Sequence, residues 1–234
     1  MKTLIVIPTY NEEQNIEKLI HQIFNLLETQ KFAILVVDDA SKDNTAKIVK
    51  EMQKNNHDIY LLERGGKFGL ASAYIDGFKY GADLGFKAFI QIDADFSHNP
   101  KYLLEMFDKL RNYDLVIGSR NIRGGKVEGW GILRNLISKG GSVYSGLVLN
   151  CPIKDLTGGF NGWRLDLLNK IGLNNVISKG YAFQIEMKYR AYKKNAKIIE
   201  FPIVFENRKF GKSKMSKRIF FEALLNVIKI KFTC

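Results

Sequence analysis

Two carboxylates, Asp93 and Asp95, follow an apolar segment in the stretch FIQIDADFSHNP, residues 89–100. The apolar segment predicts a buried strand, so both acids lie where that strand ends. Asn99 and Pro100 predict a helix start immediately afterwards, since asparagine caps helices and proline favours their first position. Carboxylate oxygens in this place suit Mg²⁺ or Mn²⁺, which takes one or two carboxylates plus substrate phosphates.

Further polar residues follow the first two predicted strands of the chain. Ligands of open α/β sheets bind beyond the carboxyl ends of the strands. Acids at those ends accept hydrogen bonds from a base and a ribose, or hold a divalent cation. The residues in question are Pro8, Thr9, Tyr10, Asn11 and Glu12 after the first strand, and Asp38 and Asp39 after the second. We expect Asp39 to be the better ligand of the pair, while Asp38 fits a turn-stabilising role equally well.

The elements that position these residues alternate between apolar strands and amphipathic helices. This alternation predicts an α/β fold with a mostly parallel sheet flanked by helices on both faces. Asn11 is the expected cap of the first helix. The predicted strands cover 3–8, 33–39, 58–63, 87–93 and 114–119.

The pattern changes after Gly118. A polar, glycine-rich loop leads to a helix with many small residues over 132–150, and a strand over 197–206 precedes a basic loop and a closing helix near 219–232. No repeat or clear linker interrupts the chain. We therefore expect one domain, residues 1–234, with an elaborated second half over 121–234.

Composition excludes several classes of protein. The 234 residues include 36 basic and 24 acidic side chains, a net charge of +12, which favours anionic partners. The acids at the expected ligand edge argue against nucleic acid. Cys151 and Cys234 lie far apart, which argues against a zinc site or a disulfide framework.

Two nucleotide-binding motifs are absent. The turn after the first strand has no glycine and carries Glu12 and Glu13, so it does not match the dinucleotide fingerprint. Gly211-Lys212-Ser213 resembles the end of a P-loop, but Glu206 stands where the first glycine is required. The apolar run before Pro8 is too short for a signal peptide, and no uncharged apolar window suits a spanning helix, so we expect a soluble or peripheral protein.

The motifs VIPTYNEEQNI, VVDDASKDNT, GLASAYIDGF, IDADFSHNP and GSR together resemble the inverting family 2 glycosyltransferases, which have a GT-A fold. The segments RNLISKGGSVYSGLVLN, DLTGGFNGWR, GYAFQIEMKYRAY and EFPIVFENRKFGKSKMS resemble the branch that mannosylates dolichyl and polyprenyl phosphates, in its short form without membrane-spanning helices. The likeness runs from about residue 3 to residue 230, nearly the whole chain.

The resemblance implies transfer of mannose from GDP-mannose to a polyprenyl or dolichyl monophosphate, with inversion to a β-linked lipid product. It implies Mg²⁺ or Mn²⁺ as cofactor, a peripheral location on the cytoplasmic side of a membrane, and in some organisms small membrane subunits as partners. The alternative within the family is a transferase that uses UDP-glucose. A catalytically silent sugar-nucleotide-binding protein is opposed by the intact Asp95, Arg120 and Lys214.

The resemblance also implies roles for single residues, divided between the halves 1–120, which would bind the nucleotide sugar, and 121–234, which would face the acceptor and the membrane. Catalytic roles fall on Asp95, Arg120 and Arg134, and acceptor binding on Arg134 and Ser138. Metal binding falls on Asp93, Asp95 and Ser97, although some relatives carry Gln at the position of Ser97. Donor binding falls on Pro8, Tyr10, Glu12, Val37, Asp39, Asp93, Ala94, Asp95, Arg120, Arg208 and Lys214.

Overall fold

The computed structural model describes residues 1–207 and 226–234 of the chain. The strands are β1 (Thr3–Thr9), β2 (Phe32–Asp38), β3 (Ile59–Glu63), β4 (Ala88–Gln91), β5 (Leu115–Ser119), β6 (Lys126–Val127), β7 (Asn161–Arg164), β8 (Ile198–Pro202) and β9 (Val204–Phe205). The α-helices are α1 (Ile16–Leu26), α2 (Thr45–Asn55), α3 (Leu70–Asp83), α4 (Leu103–Lys109), α5 (Ile132–Leu149), α6 (Leu165–Ile171) and α7 (Gly180–Lys193), with 3₁₀ turns at Pro100–Tyr102 and Leu173–Asn175. Residues 226–233 are also helical.

Seven strands form one sheet in the order β3-β2-β1-β4-β7-β5-β8, and β6 pairs with β9 in a small separate ladder. Within the large sheet β1, β2, β3 and β4 run parallel, as do β5 and β8. The predicted mostly parallel sheet is therefore confirmed. Strand β7 differs, because it lies antiparallel between β4 and β5.

Alternating side chains of the central strands divide the core between the two faces of the sheet. In β1, Leu4 and Val6 join the cluster that packs against α3 and α7. Ile5 and Ile7 join the cluster on the opposite face, against α1 and α4. This alternation follows from the two-residue period of a strand, and burial on both faces explains why β1 has no polar face.

One predicted helix start is confirmed and another is wrong. Asn99 caps the turn that begins at Pro100, and its side-chain oxygen accepts the Lys101 N–H at 3.1 Å. Asn11 does not cap α1. That helix begins at Ile16, four residues later than a cap at Asn11 predicts, and Asn15 occupies the cap position. Asn11 instead accepts the backbone N–H of Lys42 at 2.8 Å, which joins the loops after β1 and β2.

Both halves of the sequence contribute strands to the large sheet, since β7 and β8 pair with β4 and β5. On this ground we propose that residues 1–234 form one domain. Within the described ranges 1–207 and 226–234, no helix combines the length and the hydropathy that a bilayer crossing requires.

Helix α3 approaches the sheet closely at Gly81. A Cβ atom there would lie against the Leu4 side chain and 2.6 Å from the Phe89 Cε1 atom, well inside van der Waals contact. Gly140 in α5 provides the opposite case, because a Cβ atom at that position meets no described atom within 4 Å.

We expect Gly81→Ala to lower the free energy of unfolding, because overpacking costs about 1–3 kcal/mol while the gain in helix propensity is about 1 kcal/mol. The matched variant Gly140→Ala has the propensity gain without the clash, so its stability rises by up to about 1 kcal/mol. Urea unfolding of both variants measures the difference. Equal stabilisation of both proteins would contradict the close packing of α3.

Candidate active site

The carboxyl ends of β1, β2 and β4 meet at one edge of the sheet because the three strands are parallel and adjacent. Thr9 and Asp38 are paired across the ends of β1 and β2. Tyr10, Asp39 and Asp93 follow these strand ends, so the structure brings the predicted polar residues of the first half together at one edge.

Asp38 stabilises the turn after β2. One of its oxygens accepts the Thr9 hydroxyl at 2.8 Å and the Ser41 hydroxyl at 2.6 Å, and the other accepts the Ser41 N–H at 2.9 Å. The residue is almost completely buried. Of the two roles weighed from the sequence, its contacts match the structural one.

Asp39 anchors the loop between β3 and α3. Its carboxylate lies 3.0 Å from the Arg64 guanidinium and accepts the N–H groups of Phe68 and Gly69 at 2.9 and 2.8 Å. Arg64 also donates to Ser72 at the start of α3. The position predicted to meet the base therefore also holds the loop beside it, a role that the sequence did not reveal.

The remaining donor positions at this edge differ in what their side chains offer. Tyr10 is half-buried, and the Lys67 ammonium lies 3.4 Å from the centre of its ring. Glu12 accepts the Asn15 side-chain N–H at 2.8 Å. Pro8 is half-buried at the end of β1, whereas Val37 is fully buried, so its side chain belongs to the core.

Asp93 and Asp95 lie immediately beyond β4, as predicted. Asp93 is one-third exposed and accepts a hydrogen bond from the Tyr74 hydroxyl at 3.3 Å. Asp95 is nearly buried, and one of its oxygens accepts both the N–H and the hydroxyl of Ser97. Ala94 between them is also buried. Ser97 thus orients Asp95, which limits the rotation of its carboxylate.

His98 lies under Asp93 as a neutral imidazole. Burial lowers the pKa of His98, and its Nδ1 atom accepts the backbone N–H of Asp93 at 3.4 Å. The ring packs between Phe160 and Phe205, with ring centres 5.3 and 5.2 Å away. Burial and the Asp93 carboxylate also raise the pKa of Tyr74, so Tyr74 and His98 are both uncharged at neutral pH.

The three loops at this edge each contain a non-glycine residue in the left-handed region. Asn11 has φ 60° after β1, Ala40 has φ 59° after β2, and Phe96 has φ 61° after β4. Such a conformation costs of order 1 kcal/mol or more for a residue with a Cβ atom, and it persists where surrounding contacts impose it. The chain accepts strained backbone at the place where the candidate site lies.

Arg120 follows β5 and pairs with the buried Asp155. Its Nε and Nη2 atoms donate to the two Asp155 oxygens at 2.8 and 2.7 Å, and its backbone N–H donates to the same carboxylate at 2.8 Å. Asp155 also accepts the Gly158 N–H. Burial by itself raises the pKa of Asp155, but Arg120 and Lys188 hold that pKa well below its usual range.

Lys188 on α7 supports the same loop from beneath. Its ammonium is fully buried and donates to the backbone carbonyls of Asp155 and Gly158 at 2.7 and 2.8 Å. Burial lowers the pKa of Lys188 to about 8. Sequence reasoning missed both Asp155 and Lys188, although a charged residue in a helix that is buried on all sides is a signal for a buried partner.

The second half of the predicted site lies only partly in the described residues. Arg120 donates to Thr157 at 2.9 Å, and the Thr157 hydroxyl lies 3.1 Å from that of Ser142, which connects the end of β5 to α5. Ser138 is half-buried on α5. Arg134 also belongs to α5, but its side chain lies outside the described part of the structure. Arg208 and Lys214 lie outside the described residues altogether.

The donor set at Asp93 and Asp95 fits a divalent cation that also binds substrate phosphates. Among residues 1–207 and 226–234, no group of three His, Cys, Asp or Glu residues is arranged to hold a metal by itself. Mg²⁺ and Mn²⁺ do not require such a group, since one or two carboxylates, waters and phosphate oxygens complete their coordination. The two carboxylates therefore suit these ions.

Comparisons of sequence identify relatives over nearly the whole chain. Residues 4–172 match the family described as Glycosyl transferase family 2. The undecaprenyl-phosphate mannosyltransferase of Micrococcus luteus is 38% identical over 97% of this chain and 93% of its own length. The polyprenol monophosphomannose synthase of Mycolicibacterium smegmatis is 38% identical, over 97% and 85%. The dolichol-phosphate mannosyltransferase of Pyrococcus furiosus is 34% identical over 98% of this chain and 64% of its own length.

Comparison of structures identifies the same architecture in glucosyl-3-phosphoglycerate synthase from Mycobacterium tuberculosis. Its complex with Mg²⁺ and UDP superposes with a TM-score of 0.72 at 16% identity, over 99% of this chain and 79% of that one. Its complex with Mn²⁺, UDP and glucosyl-3-phosphoglycerate has a TM-score of 0.68 at 17% identity, over 98% and 78%. The TM-scores demonstrate a shared fold, and at identities this low the comparison extends to the fold alone.

The buried Lys188 predicts a specific pH dependence of stability. Between about pH 8 and 10.5 the unfolded chain holds the Lys188 proton and the folded chain has released it, so the free energy of unfolding rises with pH in that range. Lys188→Met abolishes this contribution, which is on the order of 2 kcal/mol between about pH 8 and pH 10. Urea unfolding of both proteins at the two pH values measures it. Parallel pH profiles would contradict the lowered pKa.

Proposed function

The chain belongs to glycosyl transferase family 2, and we propose that it transfers mannose from GDP-mannose to a polyprenyl or dolichyl monophosphate. The sequence-based assignment to this family, with its GT-A fold, is confirmed by the family match and the shared architecture. The observation that carries the proposal is the identity of 34–38% to three proteins named as mannosyltransferases or mannose synthases of polyprenyl-type phosphates.

The donor nucleotide occupies the edge formed by β1, β2 and β4 in this proposal. Tyr10 offers a ring face to the base, and Asp39 holds the loop that carries Lys67 and Phe68. The guanosine-binding set is Pro8, Tyr10, Glu12, Val37 and Asp39, and the diphosphate-binding set is Asp93, Ala94, Asp95, Arg120, Arg208 and Lys214. Because Val37 is fully buried, we assign its contribution to the backbone.

Asp93 and Asp95 hold Mg²⁺ or Mn²⁺ in this proposal, and Ser97 orients Asp95 through two hydrogen bonds to one of its oxygens. The solved neighbours contain Mn²⁺ or Mg²⁺ together with UDP, which supports a divalent ion in this fold. Such an ion stabilises the negative charge that develops on a departing diphosphate.

The acceptor needs no general base. The second pKa of a phosphate monoester is about 6, so the lipid phosphate is an anion near neutral pH and a ready nucleophile. Its oxygen forms a bond to the anomeric carbon as the bond from that carbon to the diphosphate breaks. The electron pair leaves with GDP, and the configuration inverts. The product is a mannosyl phosphodiester of the lipid.

Repulsion between the donor diphosphate and the acceptor phosphate is the main electrostatic obstacle to this displacement. Fixed cations reduce it, and a guanidinium matches two phosphate oxygens at once. In our proposal Arg134 and Ser138 on α5 bind the acceptor phosphate, and Arg120 lies on the donor side. Because Arg120 pairs with Asp155 at 7% exposure, we propose that it acts from a fixed position and carries little net charge into the site.

We further propose that the protein works peripherally at the cytoplasmic side of a membrane, where small membrane subunits are candidate partners. Helix α5 exposes large apolar side chains at Leu136, Val143 and Leu147, which are 62%, 62% and 78% accessible. Ile228 and Phe232 are exposed in the last helical segment, next to Lys229 and Lys231. Apolar side chains beside lysines suit an anionic lipid surface.

Label transfer tests the reaction directly. We expect purified protein, polyprenyl phosphate and Mg²⁺ or Mn²⁺ to convert radiolabelled GDP-mannose into label that is extracted by organic solvent, and a chelator to abolish it. Asp95→Asn lowers the rate about a hundredfold or more, because the metal ion loses a carboxylate ligand and the leaving diphosphate is then stabilised less. The matched variant Asp108→Asn, on the exposed side of α4, retains wild-type transfer.

Two results would change the proposal. Label from UDP-glucose alone would keep the mechanism and replace both the sugar and the base. Transfer that resists the chelator and survives Asp95→Asn would remove the metal role from Asp93 and Asp95.

Co-sedimentation tests the membrane contact. We expect binding to vesicles that contain phosphatidylglycerol at low salt, and weaker binding as salt screens the lysines. The double variant Val143→Ser/Leu147→Ser lowers the affinity tenfold or more, since each buried apolar side chain contributes about 1.5–3 kcal/mol. Leu84→Ser, at an exposed position after α3, is the control. Unchanged binding of the double variant would exclude α5 as the membrane-facing helix.

A further inference from the structure

A chain of buried amide side chains crosses the sheet beneath the candidate site. It begins at Trp163 on β7, whose indole N–H donates to the Gln91 Oε1 atom on β4 at 2.8 Å. An indole nitrogen is a donor only, so Gln91 must turn its oxygen toward Trp163. This contact fixes which end of the Gln91 amide is which.

The orientation passes from Gln91 to Asn161 and then to Gln184. Asn161 Nδ2 donates to the same Gln91 oxygen at 3.0 Å, and it donates to Gln184 Oε1 at 3.0 Å. Since Asn161 presents a donor, Gln184 must present its oxygen. The Nε2 donor of Gln184 therefore points away from Asn161. This orientation follows from the donor-only indole of Trp163, through the contacts of Gln91 and Asn161.

The Nε2 group of Gln184 is buried and finds no hydrogen-bond partner among the described residues. Gln184 is 3% exposed. A buried donor without a partner costs about 1–3 kcal/mol, and native structures contain few of them. Two other atoms of these amide side chains, Gln91 Nε2 and Asn161 Oδ1, also have no partner among the described residues, and both residues are fully buried.

Gly159 leaves a gap beside this donor. A Cβ atom built on Gly159 would lie 3.9 Å from Gln184 Nε2, 4.0 Å from Asp93 Oδ2 and 3.6 Å from His98 Cε1. Gly159 therefore lies between a buried amide donor and the carboxylate at the candidate reaction site. Because Gly159 has no side chain, a methyl-sized space remains beside both groups.

We propose that Gln184 Nε2 donates a hydrogen bond to a hydroxyl group of the donor hexose, and that the gap at Gly159 admits this hydroxyl. The inference rests on the proposed function and adds a residue that recognises the sugar. It makes Gln184 a specificity-determining residue, positioned by Trp163, Gln91 and Asn161.

A sugar hydroxyl fits this point better than the other parts of a nucleotide sugar. A hydroxyl accepts from the amide and donates to a carboxylate at the same time, whereas an ionised phosphate has no proton to donate and would meet Asp93 only through the metal ion. The base has a separate platform at Tyr10 and Lys67, beyond β1. A donor–acceptor pair facing one gap is the usual means of recognising a hydroxyl.

Calorimetric titration of two ligands separates this role from a structural one. Gln184→Met removes the donor and retains the approximate volume. We expect its affinity for GDP-mannose to fall about threefold to tenfold, the value of one hydrogen bond, while its affinity for GDP stays unchanged. Gln53→Met, on α2, is the matched control and retains both affinities.

Gly159→Ala provides a second test that leaves the amide chain intact. The new methyl group makes ordinary van der Waals contacts at 3.6–4.0 Å, so the variant folds, but it occupies the gap. We expect the same selective loss of GDP-mannose affinity with unchanged GDP affinity.

Each remaining outcome contradicts a stated part of the argument. Equal losses for GDP and GDP-mannose in Gln184→Met would assign Gln184 a structural role, and no loss in either variant would remove it from the sugar site. If wild-type protein binds GDP and not GDP-mannose, or binds UDP-glucose instead, the proposed donor fails. If the protein binds UDP-glucose, the affinities of Gln184→Met for UDP and for UDP-glucose test the role of Gln184 in the same way.

Discussion

The burial of the Asp155 carboxylate is the constraint on which the site depends. A buried carboxylate is costly unless hydrogen bonds and an opposite charge compensate it, and breaking such a pair costs about 3–5 kcal/mol. Asp155 is completely buried and receives three N–H groups of Arg120 as well as that of Gly158. The end of β5 and the loop before β7 are therefore held in one arrangement.

Lys188 reinforces the same loop from α7, through the backbone carbonyls of Asp155 and Gly158. The loop then runs past Gly159 into β7, where Asn161 begins the strand. Charge compensation at Asp155, the gap at Gly159 and the amide chain are thus consecutive features of one segment. We regard the segment 155–163 as the structural link between the Arg120–Asp155 pair and the carboxylates that follow β4.

The sequence predicted the fold and the position of the acidic residues at one edge of the sheet, because both depend on local patterns. Apolar strands that end in polar residues placed Tyr10, Asp39, Asp93 and Asp95 at one sheet edge, and the structure has them there. The failure at Asn11 is instructive. Asn11 has a cap-type side chain, but a contact with Lys42 from the next loop uses it instead. The intrinsic preference of asparagine for helix caps takes no account of hydrogen-bond partners that are distant in the sequence.

What the sequence by itself determined is the alternation of strands and helices and the placement of acids at strand ends, because periodicity and turn residues act over a few positions. Only the tertiary structure decided that β7 inserts antiparallel between β4 and β5, that Asp155 is the partner of Arg120, and that Gln184 points a donor toward Gly159. Such features join distant residues, because Arg120 and Asp155 are 35 positions apart and Gln91 and Asn161 are 70 positions apart. Buried polar groups from distant parts of the sequence become neighbours only in the folded chain, so no local pattern indicates which of them pair.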